Sequence, residues 1–118
     1  MAVSRTHPVG IDIECAQPRS EEDLTDDYFT SCERMALSRL PVGTRAQARA
    51  RLWALKEATV KMLGTGLAYD ISELEFDPVQ DRLNSSREGF SRLSEMRIAT
   101  WSIRNETQPL SVALAVGI

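Results

Sequence analysis

Residues 45 to 63, "RAQARARLWALKEATVKML", constrain the fold of this chain more than any other stretch. Ala48, Leu52, Leu55, Thr59 and Met62 recur at steps of three and four, the period of one face of an α-helix. The spacing predicts a helix with these five residues on its core side. Thr44 with Gln47 three residues on has the form of a capping box that starts it, and Gly64 in "LGTGL" suits the C-cap that ends it. After Ile71 the pattern changes: "ELEFDP", "EMRIATWSIR" and "PLSVALAV" alternate or run apolar and read as strands. The polar "VQDRLNSSREGFSRLSE" between the first two reads as a loop or a short irregular helix.

Upstream, residues 2 to 5 and 8 to 14 read as two short strands of a hairpin around "THP". A short helix is expected near 20 to 28. Thr30 with Glu33 then forms another capping box, followed by helical apolar spacing at Met35, Leu37 and Leu40. Hairpin, helices, then strands predict an α+β fold, with a mainly antiparallel sheet packed against the long helix. A chain of 118 residues suits one domain over residues 1–118.

A net charge of −3 argues against a general nucleic-acid binder. The longest apolar tract near the end, "SVALAVGI", is too short to span a bilayer, which takes about 20 residues. "MAVSRTHP" has no apolar run of the signal-peptide type, so a soluble cytoplasmic protein is expected, with no membrane partner. Cys15 and Cys32 have neither CxxC nor metal-site spacing and read as free, buried thiols. His7, the one histidine, precedes Pro8 in a turn and is a poor basis for a catalytic dyad. After the acidic "SEEDLTDD", the arginines Arg34, Arg39, Arg45, Arg49 and Arg51 follow with only Glu33 among them. This stretch is either a solvated helical surface or a surface for an acidic partner.

In "PVGIDIEC", Asp12 and Glu14 are two residues apart and therefore share one face of a strand, while Ile11 and Ile13 share the other and can enter a core. Adjacent carboxylates raise each other's pKa unless something positive lies between them. In "WALKEATVK", Trp53, Glu57 and Lys61 line one helical stripe, and Glu57 four residues before Lys61 is the favourable ion-pair order. Trp53 reads as packing. Gly64 and Gly66 follow within a turn of Lys61, and glycines beside a lysine suit an anion. Three carboxylates, one or two lysines and a glycine turn form a set of hard ligands suited to Mg²⁺ and a substrate phosphate.

"VGIDIE" followed by "WALKEATVKMLGTGL", with "YFTSCERMAL" between them, resembles the signature motifs of the 4′-phosphopantetheinyl transferases. The resemblance is strong over residues 8 to 67. It implies Mg²⁺-dependent transfer of the 4′-phosphopantetheine arm of coenzyme A to a serine of an acyl or peptidyl carrier protein, releasing adenosine 3′,5′-bisphosphate. It also implies that Asp12, Glu14 and Glu57 hold the metal, that Glu57 is the general base, and that Lys61, helped by Lys56, contacts the pyrophosphate. Gly64 and Gly66 would shape the turn against the nucleotide phosphates. The carriers of this family are acidic, so Arg34, Arg39, Arg45 and Arg49 are candidate docking residues.

The length is similar to that of the short holo-ACP synthase type, which works as a trimer with sites between subunits. The "DIE" acids and the tryptophan of "WALKEA" look like the surfactin type, about twice as long, whose first half supplies much of the coenzyme A pocket. An active enzyme that self-associates as a dimer or trimer, or that works within a larger synthase, is the leading expectation. Fatty acid, polyketide and peptide synthesis all remain open as its pathway. A non-catalytic coenzyme A or carrier-binding half-domain is the alternative, and an unrelated Mg²⁺-dependent phosphohydrolase a third.

Overall fold

The computed structural model describes residues 8–15, 28–63, 71, 74–78, 80, 82–85, 96–104 and 109–117. Its elements are, in chain order, β1 (Val9–Cys15), α1 (Ser31–Ser38), α2 (Val42–Leu63), β2 (Glu75–Asp77), β3 (Arg82–Ser85), β4 (Arg97–Arg104) and β5 (Pro109–Val116). β5 lies between β1 and β4 in an antiparallel three-stranded sheet, and β2 and β3 form a separate two-stranded ribbon. This is the expected α+β architecture, with α2 laid across one face of the larger sheet. The expected strand at 2 to 5 and most of the helix at 20 to 28 lie outside the described residues, as does His7. Among the described residues, no helix is long and apolar enough to cross a membrane.

α1 begins as its sequence dictates. The Thr30 hydroxyl accepts from the Glu33 amide, and the Glu33 carboxylate accepts from the Thr30 amide at 2.8 Å, a complete capping box. α2 begins earlier than expected, directly after Pro41. Thr44 is therefore inside the first turn, and its hydroxyl donates back to the Pro41 carbonyl at 2.9 Å instead of capping. The five residues read as the core face of α2 are all buried, and so are Ala50, Ala54, Lys56 and Ala58. Phe29, Leu37, Leu74 and Phe76 join Ala48, Leu52, Leu55 and Met62 in one core, whereas Met35 of α1 is exposed.

The register decides which strand face meets α2. Gly10, Asp12 and Glu14 of β1 pair with Ala115, Ala113 and Ser111 of β5, and the two alanines and the serine are buried. A Cβ added to Gly10 would stand 1.9 Å from the Ala58 carbonyl oxygen and 2.5 Å from the Met62 amide nitrogen. Strand and helix thus touch backbone to backbone, which only a glycine permits. The acid-bearing face of β1 is the face under α2. The isoleucine face, expected to enter a core, points away from the helix, and Ile13 is 57% exposed. Across the sheet it continues in rows set by the pairing, Ile13–Val112–Trp101 and Cys15–Leu110–Ile103. Cys15 and Cys32, read as buried thiols, are both exposed.

β3 falls within the segment expected to be a loop. Leu83 pairs with Phe76 across a register shift, and the ribbon is anchored by the buried Phe76 rather than by any alternation in its own polar sequence.

Gly10→Ala should force α2 off β1, because the obstructing atoms are backbone and cannot turn aside. Overpacking of this kind costs about 1–3 kcal/mol, so the melting temperature followed by circular dichroism should fall by roughly 4–12 °C.

Candidate active site

The close crossing at Gly10 places the next outward residues of β1 beside the last two turns of α2. Lys61, half exposed, donates from Nζ to Asp12 Oδ1 at 2.7 Å and lies 3.4 Å from the Ile11 carbonyl. The Asp12 side chain is only 11% exposed, and its Oδ2 is buried with no hydrogen-bond partner among the described residues. Lys61 was expected to pair with Glu57 along the helix. It instead crosses to the strand, where a desolvated carboxylate offers a stronger acceptor.

Glu14 and Glu57 share this field. Burial, then the neighbouring Asp12 carboxylate as hydrogen-bond partner and as charge, then Glu57, push Glu14 up to about 7, against the pull of Lys61. Burial first, then Asp12, also raises Glu57, with Lys61 again opposing. The Lys61 ammonium is held above its ordinary value chiefly by its hydrogen bond to Asp12, and the charges of Glu57 and Glu14 add to it. Asp12, Glu14, Glu57 and Lys61 therefore form one electrostatic unit.

One expected member, Lys56, does not join it. Lys56 is fully buried, and its Nζ donates to Glu33 Oε1 at 2.5 Å and to the Tyr28 carbonyl at 2.7 Å. It lies on the core face among Leu52, Leu55 and Thr59, so its ammonium is turned away from the acid cluster. Gly64 and Gly66 lie outside the described residues.

Among the described residues, no three His, Cys, Asp or Glu side chains close into a ready metal cage. Asp12, Glu14 and Glu57 were expected as three ligands. They repel and desolvate one another, but Lys61 occupies Asp12 Oδ1 as the local cation. Mg²⁺ is commonly held by one or two carboxylates with waters and substrate phosphates, and an orphaned carboxylate oxygen beside two acids of raised pKa fits such a shared site.

Trp53 behaves as packing: its ring meets Tyr28 at 5.6 Å and Phe29 at 6.2 Å between centroids. Of the basic stretch, Arg45 is committed elsewhere. It donates to the Leu40 carbonyl at 2.9 Å and the Ser38 carbonyl at 2.7 Å, satisfying carbonyls at the end of α1. Arg34 and Arg39 are exposed and Arg49 is half-buried. A cleft of about 230 Å³, lined by Leu40, Thr44, Gln47, Ala48, Arg51 and Pro78, opens at the other end of α2 and shares no residue with the acid cluster. The Glu33–Lys56 pair was missed from sequence. Its signal was a lysine at a core position of α2, with an acid at the start of the neighbouring helix.

An acid-bearing strand is thus crossed by a long helix, with Lys61 bridging the two. The family model of the 4′-phosphopantetheinyl transferase superfamily matches residues 8–115, and the chain belongs to that superfamily. It is similar to the 4′-phosphopantetheinyl transferase HetI of Nostoc sp., with 36% identity over 75 residues, 63% of this chain. The matched segment covers 31% of that relative's length. In fold, the chain is similar to apo-ACPS of Chronobacterium ammoniagenes, with a TM-score of 0.59 and 16% identity over 95% of this chain and 97% of that one. The ACPS–CoA complex from the same organism gives 0.55 and 19% over 94% and 97%.

The raised Glu14 pKa has a measurable consequence. Relative to an unfolded carboxyl near 4.5, the folded protein holds this proton more tightly, so stability falls as pH rises from about 4.5 to about 7. Glu14→Gln should melt a few degrees above the parent at pH 8, and the difference should vanish near pH 4.5 in thermal melts by circular dichroism.

Proposed function

We propose that this chain transfers the 4′-phosphopantetheine group of coenzyme A to a serine hydroxyl of an acyl or peptidyl carrier protein. The convergence of Asp12, Glu14, Glu57 and Lys61 at the β1–α2 crossing, in a chain of this superfamily, carries the reading. The serine oxygen forms a bond to the phosphorus that bears the pantetheine arm. The bond from that phosphorus to the oxygen bridging the two phosphates breaks, and adenosine 3′,5′-bisphosphate leaves. The serine proton passes to Glu57, directly or through a water, and its raised pKa makes it a better proton acceptor than an ordinary carboxylate. Lys61, already half exposed, can exchange Asp12 for a pyrophosphate oxygen and share its charge. Asp12 and Glu57, with Glu14 beside them, would hold Mg²⁺, which would neutralise charge on the phosphate oxygens.

The carrier surface we assign to α1, through Arg34 and Arg39, which present positive charge to an acidic partner. We further propose that copies of the chain associate through the open sheet face, where Ile13, Trp101 and Ile103 are 57%, 43% and 45% exposed. The 31% coverage of HetI favours a second reading, a coenzyme A or carrier-binding half that needs another half for turnover.

Incubation with coenzyme A, Mg²⁺ and an apo carrier, read by intact mass, separates the two. Transfer adds about 340 Da to the carrier, whereas a monomer that binds coenzyme A without this gain supports the second reading. Asp12→Ala and Glu57→Ala should each lower the rate by about 10²–10⁴-fold while the far-ultraviolet spectrum is unchanged. Unaltered rates in either would refute the site. Trp101→Glu should shift the sizing-column peak towards the monomer and take the activity with it.

A further inference from the structure

The fully buried pair Glu33–Lys56 is outside the transfer chemistry, yet both of its charges are tied into several hydrogen bonds. Glu33 is 1% exposed and Lys56 0%. Glu33 Oε1 accepts from the Thr30 amide at 2.8 Å and from Lys56 Nζ at 2.5 Å, and Oε2 accepts from the Phe76 amide at 2.9 Å. The Lys56 ammonium also donates to the Tyr28 carbonyl and stands 5.4 Å from the centre of the Phe29 ring. One carboxylate and one ammonium thus tie the 28–30 segment, the start of α1, α2 and β2 to a single point.

Such a pair is a poor source of stability, because removing two charges from water offsets most of their attraction, and apolar residues of similar volume often serve as well. What apolar residues lack is direction. Lys56 directly precedes Glu57 and is about 100° from it around the helix. Pinning Lys56 on the α1 side therefore fixes the rotation of α2 about its own axis, and with it the direction in which Glu57 and Lys61 face β1. A helical carboxylate is about 6 Å from the axis, so a turn of about 10° moves it by about 1 Å, and a misplacement of that size can lower a rate by about 10²-fold.

We infer that Glu33 and Lys56 are positioning residues, a buried strut that sets the azimuth of α2 so that Glu57 and Lys61 converge on Asp12. The Gly10 crossing sets the distance between strand and helix, and the strut sets the rotation. Lys56 on this account does not touch coenzyme A. The inference rests on the transfer reading for its kinetic test only.

Glu33→Leu and Lys56→Met each strand one buried charge and should melt well below the parent. The double variant Glu33→Leu/Lys56→Met removes both charges and should recover most of the melting temperature. Its kcat for carrier modification should stay about 30–100-fold low, and its KM for coenzyme A should rise no further than that of Lys61→Ala, because Lys61 turns with the helix. A double variant with parental kcat would make the pair merely structural and overturn the inference. A KM well above that of Lys61→Ala would make Lys56 a coenzyme A ligand, with the same result.

A second measurement needs neither variants nor turnover. Lysine acetylation of the native protein, mapped by peptide mass, should leave Lys56 unmodified with or without coenzyme A, while Lys61 reacts readily. Lys56 that reacts in the free protein and is protected by coenzyme A would overturn the strut. A parent chain inactive with every carrier would count against the transfer reading and leave the labelling result standing.

Discussion

Everything at the candidate site depends on one steric fact, the contact between the backbone of β1 at Gly10 and that of α2 at Ala58. With any side chain at residue 10 the atoms would overlap at 1.9 Å. Because the strand can approach so closely, residues two and four further on reach the last turns of the helix. Small residues continue the contact on the partner strand, where Ala113 and Ala115 are fully buried. Packing and chemistry are here a single constraint, since the approach that buries apolar surface also gathers Asp12, Glu14, Glu57 and Lys61.

The gathered charges work against the fold. Three carboxylates at one strand–helix crossing repel, two have raised pKa values, and one oxygen of Asp12 is buried without a partner among the described residues. Lys61 relieves part of this by standing in as the cation. Electrostatic cost concentrated in one cluster is the expected signature of function set against stability. The opposite face of the sheet carries the complementary liability, apolar rows on an open surface.

Much of the fold was legible because local rules and tertiary packing agreed. The Thr30–Glu33 box, the buried stripe of α2 and the runs that became β4 and β5 all formed as their patterns dictate. Where the sequence misled, a non-local contact decided. β3 carries one apolar residue, Leu83, which packs against the core beside Phe76 where β2 offers an edge. Ile11 and Ile13 suggested a core face, but Gly10 assigned the helix to the other side, which no alternation could reveal. Thr44 matched a cap, yet Pro41 allowed the helix to begin sooner. At the site, Asp12, Glu14, Glu57 and Lys61 were legible as residues. Lys56 was misread because its motif drew it to the phosphates, whereas its position on the core face placed it against Glu33.

We propose that the β1–α2 crossing builds a site for a cation shared with a phosphate ligand. Calorimetric titration of coenzyme A into the native protein, with Mg²⁺ and with EDTA, for the parent and for Asp12→Asn, tests this most directly. Mg²⁺ should tighten binding at least about ten-fold in the parent, equivalent to about 1.4 kcal/mol, and Asp12→Asn should abolish this gain. Equal affinity with and without Mg²⁺ in the parent, or an Mg²⁺ effect that survives in Asp12→Asn, would contradict it.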